Sequence, residues 1–75
     1  MAAEVKFEII ENIGTLSSSP SGWIKELNLI SWNGGEPKYD IRQWSPDHSK
    51  LGKGVSLSRE EAQELVNLLG KWLPK

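Results

Sequence analysis

The sequence predicts a small α+β domain in which a four-stranded antiparallel sheet is followed by a C-terminal helix (ββββα). Two observations predict this fold class. Four stretches within residues 5–57 have the composition and alternation of strands, and clusters of Gly, Pro, Ser and Asn separate them. Residues 58–73 instead repeat apolar side chains every three or four positions, which is typical of an amphipathic helix.

Length and composition limit what the chain can be. Its 75 residues have room for a single domain, spanning residues 1–75, and 37% hydrophobic content allows only a thin core. The chain has no cysteine, which excludes disulfides and thiolate metal sites, so association of two copies is the expected source of extra stability. No window resembles a membrane span or a signal peptide, and a cytoplasmic location is expected.

The charge is unevenly distributed along the chain. The net charge is −1, with −3 in residues 1–37, +2 in residues 38–57 and 0 in residues 58–75. Because salt screens charges beyond ~8 Å, the local sign decides where an anion is attracted. The middle of the chain is therefore the candidate anion-binding part.

The first two strands form a predicted hairpin. Phe7 and Ile9 belong to an alternating pattern that starts at Val5 and predicts a strand to roughly residue 16. A turn cluster over residues 17–22 follows, and a second strand is predicted over about residues 22–33. Neither face of the second strand is cleanly apolar, so its facing is left open.

The third and fourth strands carry most of the charge. Asn33 followed by Gly34 is a strong hairpin signal. The third strand, residues 38–44, should turn Tyr39, Ile41 and Gln43 inward and place on its other face Lys38, Asp40, Arg42 and Trp44. Asp40 is expected to orient Arg42 or Lys38 or to bond backbone across the strand pair, and a plain cross-strand ion pair is the alternative. Residues 51–57 form the last strand, whose glycines around Lys53 permit a close backbone approach.

The helix is the most clearly signalled element. Ser58 and Glu61 have the spacing of a capping box, and Pro74 ends the apolar repeat. Packing on its own sheet is the default for such a stripe. The stripe is nevertheless broader than a small sheet requires, so we expect a homodimer interface formed by Leu65, Leu68, Leu69, Trp72 and Leu73.

Several of these segments together resemble a known family. The run Tyr39–Trp44, the polar loop after it, the block Gly52–Leu57 and the capped helix resemble the single-stranded DNA-binding domain of transcriptional positive cofactor 4. They are most similar to its small bacterial, YdbC-like branch, and the resemblance covers nearly the whole chain. It implies a ββββα protomer that dimerises largely through its helix. It also implies curved sheets that present cationic and aromatic side chains to single-stranded nucleic acid.

The resemblance and the residue chemistry together give a set of candidate binding residues. Arg42 and Trp44 match the arginine and tryptophan of the family's third strand, and Lys53 matches the lysine of its glycine-flanked motif. Trp32 falls near the aromatic at the tip of the second strand. Cations bind phosphates and aromatic rings stack on unpaired bases. The expected nucleic-acid-binding residues are Lys25, Trp32, Lys38, Arg42, Trp44, Lys50 and Lys53. Trp23 is an alternative stacking platform to Trp32.

The sequence thus predicts a single-stranded DNA-binding protein with little sequence preference, which acts in transcription, replication or repair. RNA is a second candidate ligand. In a blander interpretation the charges only solvate an exposed face or neutralise Asp40, and Trp44 covers the edge of the core. The competing function, a module that docks a peptide or polymerase subunit on its sheet, is supported by the negative total charge. No enzyme, catalytic residue, cofactor or metal site is expected, because Ser45, Asp47 and His48 are close in sequence but do not form a convergent triad.

Overall fold

A computed structural model of the chain describes residues 6–74. The predicted ββββα order is confirmed: one antiparallel sheet with strand order β1-β2-β3-β4 precedes a single helix. The bounds predicted for the third and fourth strands are also confirmed, whereas Val5, the predicted start of the first strand, lies outside the described residues. The elements are β1 (Phe7–Ser18), β2 (Ile24–Trp32), β3 (Lys38–Trp44), β4 (Leu51–Leu57) and α1 (Arg59–Trp72).

The turn between β2 and β3 explains why these strands pair directly. Asn33 and Gly34 have φ angles of 52° and 74°, and the Gly35 N–H donates to the Trp32 carbonyl over 2.9 Å. Two consecutive positive φ angles with this bond are typical of a tight β-turn, which here opens the connection over residues 33–37. The hairpin predicted from Asn33 and Gly34 is therefore confirmed, although its loop is longer than the two-residue turn that Asn-Gly favours.

β1 departs from the simple alternation that its sequence predicts. Its register against β2 shifts three times, between Ile9 and Glu11, between Asn12 and Gly14, and between Thr15 and Ser17. Each bulge sets two residues of β1 opposite one residue of β2, so the pattern repeats every three residues instead of every two. The bulged positions are all apolar and all exposed: Ile10, Ile13 and Leu16.

The strand register divides the sheet into two unlike faces. Asn28 lies opposite Asp40, whereas the neighbouring Leu27 lies opposite Ile41. The side that carries Asn28, Asp40 and Trp44 is called the Trp44 face. The side that carries Leu27, Tyr39 and Ile41 is called the helix face, because these three residues line a groove with α1. The register thereby settles the facing of β2.

The buried core lies on the Trp44 face and is unusually polar. Within residues 6–74, Ile30 and Trp44 are the only buried hydrophobic side chains. The buried polar residues are Glu26, Asn28, Ser31, Asp40 and Ser45. Asn28 accepts a hydrogen bond from Asn12 over 2.6 Å and donates one to Glu26 over 3.2 Å, as burial of polar groups requires.

The helix begins as predicted. The Ser58 hydroxyl accepts from the Glu61 N–H over 3.1 Å, and the Glu61 carboxylate accepts from the Ser58 N–H over 2.8 Å, which confirms the capping box. α1 contacts β3 and β4 but buries none of its own residues. In the part of the chain that the structure describes, no helix is long and apolar enough to cross a membrane.

Candidate nucleic-acid interface

Asp40 fixes the position of Arg42. The Arg42 guanidinium donates to both carboxylate oxygens of Asp40, from Nε over 3.0 Å and from Nη2 over 2.9 Å. A third bond runs from Nη1 to the Gly52 carbonyl over 3.1 Å. Asp40 is fully buried and the Arg42 side chain is 18% exposed. The prediction that Asp40 orients Arg42 is confirmed, and the plain cross-strand alternative is wrong because both residues lie on β3.

The glycines of β4 make room for this arrangement. A Cβ atom at Gly54 would collide with the Ile41 carbonyl oxygen and with the Cβ of Arg42. β4 can therefore lie close against β3 only because this position lacks a side chain. The close approach predicted from the glycine-flanked Lys53 is found, and its partner is the neighbouring strand.

Trp32 is tied to the same cluster. Its indole Nε1 donates to the Ser56 hydroxyl over 3.1 Å, and that hydroxyl donates to Asp40 over 2.8 Å. The Arg42 guanidinium carbon lies 5.0 Å from the centroid of the Trp32 ring, within cation–π range. An oriented cation and a half-buried indole thus share one place on the Trp44 face.

Trp44 does not lie where the sequence predicted. Its side chain is 0% exposed, so the prediction of an exposed Trp44 that stacks on bases is wrong. The Phe7 ring lies 5.6 Å away and the His48 ring stacks at 5.5 Å, and these two rings help to cover the indole. Its Nε1 is buried and has no hydrogen-bond partner among residues 6–74. Trp44 is instead part of the core, as the blander interpretation held.

Phe7 is an aromatic group that the sequence analysis missed as a site residue. It is 38% exposed and lies opposite Trp32 in the sheet, with 5.6 Å between the two ring centroids. The two aromatic rings meet because the antiparallel pairing of β1 and β2 places the start of β1 beside the end of β2. We call Phe7, Trp32 and Arg42 together the Trp32–Arg42 surface.

The predicted lysines are not gathered on this surface. Lys38 is exposed opposite Ile30, at the far end of β3 from the β3–β4 loop. Lys25 is exposed opposite Gln43. Lys50 and Lys53 each line a groove beside Trp23. The single cationic strip expected from the sequence is therefore divided between separate parts of the sheet.

The residues of the β3–β4 loop hold the loop in shape. Asp47 Oδ1 accepts from the Ser49 hydroxyl over 2.7 Å, the Ser49 N–H over 3.0 Å and the Ser45 hydroxyl over 2.9 Å. These bonds, led by those from Ser49, lower the pKa of Asp47 to about 2. His48 instead pairs with Glu26 over 3.0 Å. Among the described residues, no cluster of His, Asp and Glu has the composition to hold a metal ion.

The apolar stripe of α1 is largely uncovered. Leu65 is half-buried and lines a groove of about 510 Å³ with Tyr39, Ile41 and Ile13. Trp72 is 83% exposed, and the other predicted interface residues of the stripe are also exposed, namely Leu68, Leu69 and Leu73. A broad apolar surface therefore runs from α1 onto the helix face.

Comparison with known proteins adds two findings. The model of a protein family described as Transcriptional Coactivator p15 (PC4) matches residues 19–68. A protein from Treponema pallidum (strain Nichols), described as uncharacterized, is 59% identical over 63 residues, which cover 84% of this chain and 74% of that protein. The family match includes β2, β3, β4 and most of α1, and so contains Trp32 and Arg42.

Proposed function

Because this chain belongs to the transcriptional coactivator p15 (PC4) family, whose members are nucleic-acid-binding cofactors, we propose that it binds single-stranded DNA with little sequence preference. The observation that carries the proposal is the Trp32–Arg42 surface. There an arginine held by Asp40 lies beside two partly exposed aromatic rings, those of Phe7 and Trp32. This pairing of a fixed cation with aromatic rings suits an unpaired strand.

Stacking and cationic contacts make separate contributions to the affinity for a single strand. Aromatic side chains gain roughly 1–3 kcal/mol for each base that stacks on them, and every base has a stacking face. Arg42 contributes a guanidinium group whose position is already fixed, so little side-chain entropy is lost on binding, although its pairing with Asp40 leaves no net charge on the pair. Duplex DNA is disfavoured because its paired bases stay stacked on one another.

The lysines supply the longer-range part of the binding. Lys25, Lys38, Lys50 and Lys53 are all exposed and can contact phosphates as the strand passes over the sheet. Each phosphate neutralised on a single strand contributes about −0.7 to the slope of log affinity against log salt. Binding should therefore weaken steeply as salt is raised.

The proposal includes a homodimer built on the helix face. The uncovered stripe of α1 and the groove beneath it, which Ile13 of β1 also lines, form one surface. Within residues 6–74 the buried core of the chain contains two hydrophobic side chains. Exposed apolar patches of this kind mark interfaces. A second copy would cover Leu68, Leu69 and Trp72 and leave the Trp32–Arg42 surfaces of both copies open.

In the cell, such a protein would hold exposed strands during transcription, replication or repair and perform no chemistry on them. Its contribution would be to keep a single strand from re-pairing or folding back.

A binding panel tests the proposed function. Fluorescence anisotropy of labelled oligo(dT), a duplex of equal length and a matched RNA should give the tightest binding for a single strand, and about 0.5 M salt should largely abolish it. Equal binding of duplex and single strand would contradict the stacking mechanism. No binding of any nucleic acid at low salt would favour peptide docking on the sheet instead.

A further inference from the structure

Resting on the proposed strand binding, we infer that Trp23, Lys50 and Lys53 form a second contact for the same single strand, on the helix face of the sheet. Trp23 would stack on a base, and Lys53 would pair with an adjacent phosphate. We call these three residues the Trp23 surface. Neither the family match nor the relative assigns a role to Trp23.

Trp23 lies on the opposite side of the sheet from the Trp32–Arg42 surface. Ile24, the first residue of β2, lies opposite Trp44 and so belongs to the Trp44 face, whereas Lys25 lies opposite Gln43 on the helix face. Gln43, which alternates with Arg42 and Trp44 on β3, lines one groove together with Trp23. α1 covers the other end of this face, near Tyr39 and Leu57.

Neighbouring glycines leave room for the Trp23 indole and for the loop beside it. A Cβ atom at Gly52 would lie 3.2 Å from Cζ3 of Trp23, so the absence of a side chain there lets the indole approach β4 closely. Gly22 has a φ of 92°, and a Cβ atom there would lie 2.9 Å from Cγ of Pro46. The ring is thus a positioned, half-buried platform between two open grooves.

The groove on the Lys53 side has the chemistry of a phosphate site. It measures about 520 Å³ and is lined by Lys53, Gln43, Gly52, Ser19 and Ser21 beside Trp23. The two serine hydroxyls are already engaged, because Ser19 donates to the Trp23 carbonyl over 3.2 Å and bonds to the Ser21 hydroxyl over 2.8 Å, which leaves Lys53 as the phosphate partner. Among the residues that the structure describes, none that lines the groove is acidic, so no carboxylate there repels a phosphate. A cation beside an indole matches one nucleotide of a single strand.

The groove on the Lys50 side is lined by one positive and one negative side chain. It contains Lys50 and the carboxylate of Asp47, whose low pKa keeps it anionic at neutral pH. A phosphate gains less there than in the Lys53 groove, because the Asp47 charge opposes it. The phosphate is therefore assigned to the Lys53 side, and Lys50 contributes attraction at longer range.

Two contacts on opposite faces predict a dependence on strand length. An oligo(dT) of about 6 nucleotides can occupy the Trp32–Arg42 surface alone, whereas one of about 20 nucleotides can pass around the end of the sheet and reach Trp23 as well. Variants of the Trp23 surface should then weaken binding of the long strand and leave the short strand unaffected.

The test uses W23L, which keeps an apolar side chain but removes the stacking ring, and K53Q. K71Q is the matched control, because Lys71 is exposed on α1 and lines neither of the Trp23 grooves. We expect W23L to weaken binding of the long strand roughly 5- to 150-fold. K53Q should reduce its salt slope by about 0.7, and K71Q should do neither. Thermal melts of the variants identify any that fail to fold.

A second readout does not depend on folding of a variant. With 5-fluorotryptophan incorporated in the wild-type chain, the ¹⁹F resonance of Trp23 should shift on saturation with the long strand and stay fixed with the short one. Unchanged long-strand affinity in W23L and K53Q, or an unmoved Trp23 resonance, would overturn this inference while leaving the proposed function intact. Failure of the wild-type chain to bind either strand would instead overturn the proposed function.

Discussion

Replacing Arg42 by Gln is expected to destabilise the fold as well as weaken strand binding. Arg42 makes two charge-assisted bonds to Asp40, which is fully buried, and a third to the Gly52 carbonyl of β4. The substitution leaves the Asp40 carboxylate with one remaining side-chain partner, the Ser56 hydroxyl. An uncompensated buried charge is the most costly defect that this site can acquire.

The size of the effect follows from the burial of the pair. Breaking a buried ion pair by removing one partner costs about 3–5 kcal/mol. At ~0.05–0.15 kcal/mol per residue, a chain of 75 residues has a free energy of unfolding of roughly 4–11 kcal/mol. R42Q should therefore lose between about a quarter and all of the stability of the chain.

A double-mutant cycle checks this reasoning. Urea denaturation of D40N, R42Q and D40N/R42Q should show that the double variant is more stable than the sum of the two single losses predicts, by about 2 kcal/mol, because it buries no unpaired charge. The double variant should bind oligo(dT) weakly even though it folds. Additive losses, or an R42Q variant as stable as the wild type, would refute the structural role of the pair.

Three further predictions concern other parts of the molecule. Gly54→Ala should destabilise the fold by roughly 3 kcal/mol in thermal melts, because its methyl group collides with β3. Gly70→Ala, whose methyl group would meet no neighbouring atom, should instead stabilise α1 by up to about 1 kcal/mol. Because the folded-state pKa of Asp47 is lowered from 3.8 to about 2, its stabilising contribution is complete above pH 3.8 and is lost as the pH falls toward 2. The difference in Tm between the wild type and D47N should therefore shrink over that interval, and a constant difference would contradict the loop bonds. Trp72→Glu should convert a dimer to a monomer in sedimentation velocity at micromolar concentration; a wild type that sediments as a stable folded monomer would refute the dimer.

The sequence predicted correctly those structural features that depend on residues close together in the chain. Ser58 and Glu61 form the capping box that their spacing indicates, and Asn33 with Gly34 forms the tight turn that opens the β2–β3 connection. The alternation in β3 also placed Asp40 and Arg42 on one face correctly. Each of these features depends on residues within a few positions of one another.

The errors arose where distant parts of the chain meet. Trp44 is covered by Phe7, 37 positions earlier in the sequence, and by His48, whose φ of 61° turns the loop back over the indole. The three bulges of β1 change which of its residues share a face, and the two-residue alternation of a regular strand does not predict bulges. Lys38 is likewise separated from Lys50 and Lys53 by the fold, because Lys38 lies opposite Ile30 and the other two lysines line grooves beside Trp23.

The central claim is that unpaired bases stack on the Trp32–Arg42 surface, and ultraviolet cross-linking tests it most directly. Oligo(dT) is irradiated with the wild-type chain at low salt, and the cross-linked peptides are mapped by mass spectrometry. We predict cross-links at Trp32 and Phe7 that disappear in about 0.5 M salt. Cross-links confined to α1, or none at Trp32 and Phe7 when binding is saturated, would contradict the account.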